Sequence, residues 1–229
     1  MICKEDLLLS LDSPLDSWFH MHSHMVGILL GNDAANMVGY EQNNPHHCYD
    51  LMEHSLRTVS GVLSRIDDVK TFADILKVAA LYHDIGKPYV ATEKEGRLVF
   101  YHHAKKSAEL VEQILPCQGF GKTEVALISF YIEHHDDFIS YVLPDEPYDK
   151  ENPYLVEILT DNIANHIERN ALHLPTSSHG INIWKDLLIL CEADVMAQSD
   201  NVYMGGNIID TKAHKLKKLT EIERILHEL

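Results

Sequence analysis

Residues 71–88 read TFADILKVAALYHDIGKP. From Phe72 to Tyr82 the run is apolar on most faces, the pattern of a helix packed at the centre of a fold rather than laid on its surface. It ends in His83 and Asp84, two side chains able to hold a metal ion, just ahead of a glycine and a proline. Gly86 suits a C-terminal cap, and Pro88 biases Lys87 away from helical backbone. The stretch therefore predicts a central helix whose last turn presents an imidazole and a carboxylate together.

Helical periodicity extends outward from there. In DLMEHSLRTVSGVLSRI (50–66), Leu51, Ser55, Val59, Val62 and Ile66 recur at three- and four-residue steps and mark one buried stripe. Further helices are expected near 103–115, 122–134, 154–169, 181–198 and 211–228, with another around 15–30. VATEKEGRLVFY (90–101) reads as a short hairpin turning at Glu95-Gly96. Residues 140–153 form a Pro-rich acidic loop and 173–180 a second loop. The expected class is all-α, with at most that short hairpin near 90–101. In the last helix, Leu219, Ile222, Leu226 and Leu229 share a face, and Lys212, Lys215, Lys217 and Lys218 read as a solvated basic surface.

Composition narrows the partners. The chain has 229 residues and a net charge of −16 from 35 acidic and 19 basic side chains. That balance opposes a broad grip on nucleic acid, which needs Lys and Arg against phosphates. Cys3, Cys48, Cys117 and Cys191 include no CxxC pair, consistent with reduced thiols in a cytoplasmic protein. The N-terminus has no cleavage-site pattern, and no apolar run approaches the roughly 18–20 residues that span a membrane.

The chemistry-bearing residues cluster at expected helix ends. His54 lies on the first long helix, His83-Asp84 end the second, His102-His103 open the next and His134-His135 close the one after. Asp194 lies within the apolar segment IWKDLLILCEADVMAQ, where an unpaired carboxylate would be costly. Neutral imidazoles with carboxylates suit Zn, Mn, Fe or Ni.

These blocks resemble the HD-domain metal-dependent phosphohydrolases. The resemblance is carried by NPHHCYDLMEHSLRTV, VAALYHDIGKP, GRLVFYHHAKKSAELV, IEHHD and LCEADVMA, five separated blocks in order across about residues 43–200. It looks most like the HD regions attached to bacterial tRNA nucleotidyltransferases and their stand-alone relatives. The implied architecture is an HD-type helical bundle around a buried metal site, spanning 1–229 as one domain. Residues 1–42 would be an N-terminal extension, and 211–229 a C-terminal helix packed on the domain.

Carried over by position, the ligands become His54, His83, Asp84 and Asp194, with His103 and His134 added for a second ion and Asp84 between the two. The implied cofactor is a divalent metal pair: Mn, Fe, Ni, Co or Zn, with Mg as a further option. Asp84 and Lys87 would be catalytic. Lys87, Lys105 and Arg57 would meet substrate phosphate, although a solvated helix-end lysine is an equal reading of Lys87. Asp136 or Asp137 could act as acid or base, and Asp50 as either an orienter of His54 or a charge at a helix start.

The implied reaction is hydrolysis of a nucleotide or other small phosphoester by a metal-activated water. The same ligand set is compatible with a di-iron HD-type oxygenase, or with a non-catalytic module that keeps a metal for stability. The nucleotidyltransferase head of the tRNA enzymes is not expected in the 40 residues before the HD region, and neither tRNA nor a membrane is an expected partner. Oligomeric state and substrate identity stay open.

Overall fold

A computed structural model describes residues 1–142, 153–171, 180–204 and 207–228. Four short N-terminal helices, α1 (Lys4–Ser10), α2 (Pro14–Trp18), α3 (Ser23–Leu30) and α4 (Asn32–Ala35), precede the longer ones. The single helix expected around 15–30 is thus divided. Residues 19–25 bury no side chain, and the extended backbone of His22 breaks the path between α2 and α3.

The core is built on α5 (Leu51–Ser64), α6 (Ala73–Tyr82), α8 (His103–Ile114), α9 (Lys122–Glu133) and α11 (Ile181–Met196). α6 is buried at every position from Ile75 to Tyr82. It packs against α5, α9 and α11. Even Lys77 is covered, its ammonium reaching Asp12 at 2.7 Å and Asp74 at 2.8 Å while its stem stays in the core. Asp50 caps α5 by accepting the Glu53 N–H at 2.8 Å, so its carboxylate serves the helix start rather than His54.

After Asp84 the chain departs from the expected stop. Gly86 has φ −78° and ψ −17°, so its role is not that of a left-handed cap. Any Cβ there would lie 2.6 Å from the Ser107 nitrogen and 2.7 Å from the His103 carbonyl. Glycine lets α8 come to within backbone contact of the metal-capable turn. Lys87 is itself helical, opening α7 (Lys87–Val90), with Pro88 in the first turn where its missing N–H is harmless. A second close approach joins α5 to α11: a Cβ on Gly61 would sit 2.9 Å from that of Ala193.

β1 (Thr92–Lys94) and β2 (Arg97–Val99) form the expected hairpin, turning through Glu95 and Gly96 at φ 54° and 77°. The Leu98 N–H donates to the Asn43 carbonyl at 3.0 Å, and Asn44 Nδ2 donates to the Leu98 carbonyl at 2.9 Å. The hairpin thereby fixes the loop before α5. α10 (Pro153–Asn170) follows a π-helical turn at Phe138–Val142. A second antiparallel pair, β3 (Asn201–Met204) and β4 (Asn207–Thr211), was not expected and returns the chain from α11 into α12 (Lys212–Glu228).

Among the described residues the protein is all-α apart from these two short ladders. One hydrophobic cluster runs from Leu7 in α1 to Leu226 in α12. The expected loop at 173–180 lies outside the described residues except Gly180, as do most of 140–153 and the terminal Leu229. Among the described residues no helix is long and apolar enough to cross a membrane.

Candidate metal centre

Three helices bring a tetrad together. α5 supplies His54, the turn after α6 supplies His83 and Asp84, and α11 supplies Asp194; all four are buried. His54 Nε2 lies 2.9 Å from Asp194 Oδ1 and 3.3 Å from Asp84 Oδ2. His83 Nε2 lies 3.1 Å from Asp84 Oδ2 and 3.5 Å from Asp194 Oδ1. A second group sits on the far side of Asp84. His103 Nε2 is 3.2 Å and His135 Nε2 3.8 Å from Oδ1, the other oxygen of the same carboxylate.

Backbone carbonyls set the tautomers of these rings. His54, His83, His103 and His135 each place Nδ1 against one: Ala197 at 3.2 Å, Ala80 at 2.8 Å, Phe100 at 2.9 Å and Ile132 at 2.8 Å. With Nδ1–H donating, each neutral ring turns a lone pair on Nε2 into the site. Those lone pairs face one another, His54 to His83 at 3.3 Å and His103 to His135 at 3.3 Å. Among the described residues Asp84 Oδ1 is buried without a hydrogen-bond partner. Opposed lone pairs around an orphaned carboxylate oxygen are a donor set for a cation, and the carbonyl-held imidazoles are the usual outer support of metal ligands.

Electrostatics point the same way. Burial raises the Asp84 and Asp194 carboxyls, but His83, Lys87 and His103 around the first, and His54 and His83 around the second, outweigh it and hold both well below the usual range. Burial lowers His83, yet the Asp84 charge and bonds to both carboxylates lift it to about 10. Without a metal, a proton therefore occupies the His83 nitrogen that a cation would claim. His135 moves downward instead, through burial and the neighbouring His83 and His103 charges.

His135, not the expected His134, stands beside Asp84. The His134 Nδ1 pairs with Asp137 Oδ2 at 2.6 Å, and His166 Nε2 meets the same oxygen at 2.8 Å. These three form a separate group, packed against Trp184. Periodicity cannot choose between the two histidines because α9 is apolar on both flanks: Leu127 and Phe130 lead to His134, Ile128 and Ile132 to His135. Asp137 is consequently tied to His134 and His166, while Asp136 lines the metal-site cavity.

Of the expected phosphate-binding residues, only Lys87 reaches this cavity, which measures about 210 Å³. Lys87 is buried, not solvated; its ammonium meets Asp84 Oδ2 at 2.7 Å, Gln42 Oε1 at 2.9 Å and His47 Nε2 at 3.2 Å. Arg57 pairs with Glu53 at 2.7 Å and stacks on Tyr49, and Lys105 is exposed beside a different cavity near His134. Neither lines the metal-site cavity. The cavity adds Asn44, His46, His47 and Gln198, to which the sequence assigned no site role, and Lys215, which it placed on a solvated basic surface. His46 and His47 precede the α5 cap as a pair, a signal that the hairpin's hold on this loop makes meaningful.

A family model described as the HD domain matches residues 51–195, well over half of the chain. A 139-residue stretch is 32% identical to a CC-adding tRNA nucleotidyltransferase of Thermus thermophilus, covering 58% of this chain and 31% of that protein. The chain thus corresponds to under a third of the relative's length. His54, His83, Asp84 and Asp194, with the family match spanning all four, identify the chain as a member of the HD-domain family, whose superfamily is that of the metal-dependent phosphohydrolases.

Proposed function

We propose that the protein is a metal-dependent phosphohydrolase acting on a small phosphoester such as a nucleotide. The observation carrying this reading is Asp84, each of whose oxygens faces its own pair of imidazole lone pairs. His54, His83, Asp84 and Asp194 would hold one divalent ion; Asp84, His103 and His135 would hold a second. When bound, such ions supply Lewis acidity toward a phosphoryl group and toward water. Lys87 fixes the Asp84 carboxylate and balances its charge from 2.7 Å. Asp136, in the cavity wall but outside both ligand groups, would take or return a proton.

The small cavity and the −16 net charge favour a compact anionic substrate over a nucleic acid. The test is turnover of phosphomonoesters, phosphodiesters and nucleotides by protein loaded with Mn, Co or Ni. Asp84→Ala should lose both metal and activity. A metal-loaded protein that turns over none of these classes, or one that consumes oxygen with substrate, would sink the phosphohydrolase reading.

A further inference from the structure

A lysine from outside the matched segment also enters the cavity. Lys215 lies on α12, beyond residue 195 where the family match ends. Its position follows from helical register. Lys215, Leu219, Ile222 and Leu226 are spaced by four, three and four residues, and the last three are buried. Lys215 therefore begins the packed stripe, whereas Lys217 is exposed and Lys212 pairs with Asp200 at 2.9 Å.

The β3–β4 ladder pairs Asn201 with Thr211 and starts α12 next to the end of α11. Lys215 Nζ then donates to Gln198 Oε1 at 2.9 Å, and Gln198 Nε2 donates to Asp194 Oδ2 at 3.1 Å. Because a carboxylate only accepts, Asp194 fixes the amide orientation and turns the Gln198 oxygen toward Lys215. A cation is thus held one side chain away from a ligand carboxylate, on the wall of the cavity that also contains Asp84, His103 and His135.

The other lysine of that cavity is Lys87. Lys87 has three N–H donors and three near partners, Asp84, Gln42 and His47, all within the protein. Its charge is directed at the ligand set.

Building on the phosphohydrolase reading, we propose that Lys215 is a specificity residue that receives a second phosphoryl group of the substrate, adjoining the one over the metal ligands. The favoured substrate class is accordingly a phosphoanhydride-bearing ester, such as a nucleoside di- or polyphosphate, rather than a monophosphate.

Calorimetric binding of pyrophosphate and of inorganic phosphate to the metal-loaded full chain tests this. Wild type should bind pyrophosphate more tightly. Lys215→Met keeps the packed stem and should weaken pyrophosphate about tenfold or more, as expected for a lost charge-assisted hydrogen bond. Inorganic phosphate binding, metal content and melting temperature should be preserved, and Lys215→Arg should recover most of the pyrophosphate affinity. Equal weakening of both anions, no weakening of either, or no wild-type preference for pyrophosphate overturns the assignment while leaving the phosphohydrolase reading intact. Failure of the metal-loaded wild type to bind either anion overturns both.

Discussion

His135→Ala removes a lone pair 3.3 Å from that of His103 and should cost about one metal equivalent per chain, while His134→Ala, which touches Asp137, should retain full occupancy. Elemental analysis of both purified variants checks this, and the reverse result would reinstate His134. His83 supplies a second prediction from a single side chain. Its folded-state value, raised to about 10 from 6.5, leaves a proton on the metal-free site at neutral pH. Metal uptake there should release protons, and apparent affinity should fall as pH falls. Calorimetry in two buffers of different ionisation enthalpy measures the release. In the metal-free protein the linkage follows from the raised value: the His83 contribution to stability is complete below about 6.5 and is lost as pH rises through about 10.

Helices meet closely here through glycine. Gly86→Ala would drive a Cβ into the α8 backbone at Ser107 and His103, where no flexible side chain can yield. Overpacking of this kind costs about 1–3 kcal/mol. Because α8 also carries His103, the variant should melt lower and lose the second metal equivalent before the first; thermal unfolding followed by metal analysis shows both. Sequence pattern expected Gly86 to cap the central helix, which instead ends at Tyr82, and so assigned it the wrong task. A C-terminal glycine is usually read as a left-handed cap, and only the approach of α8 shows that missing volume is what matters. Lys215 was misread similarly: four lysines near a helix start looked like a solvated face until register with Leu219 and Ile222 set one of them inward.

Across the fold, the metal-capable centre joins α5, α8, α11 and the turns after α6 and α9, so ions bound there would cross-link most of the core. Chelation should lower the melting temperature and readdition should restore it. At metal about one hundredfold above its Kd the expected stabilisation is about 2.7 kcal/mol, a shift of a few degrees for a chain of this length. Scanning calorimetry with and without a chelator tests it, and an unchanged melting temperature on complete metal loss would contradict the cross-linking role. The linear chain specifies the local features, helix periods and the Glu95-Gly96 turn, while the tetrad His54, His83, Asp84 and Asp194 was legible through the resemblance of five ordered blocks to the HD domains, because no one of these side chains marks a ligand by itself. Direction is left to the packed molecule. His135 over His134, Lys87 turned onto Asp84, Arg57 and Lys105 turned elsewhere, and Lys215 drawn in all depend on which flank of an element faces a neighbour. An element apolar on several flanks, such as α9, carries no periodic mark of that choice, and packing alone makes it.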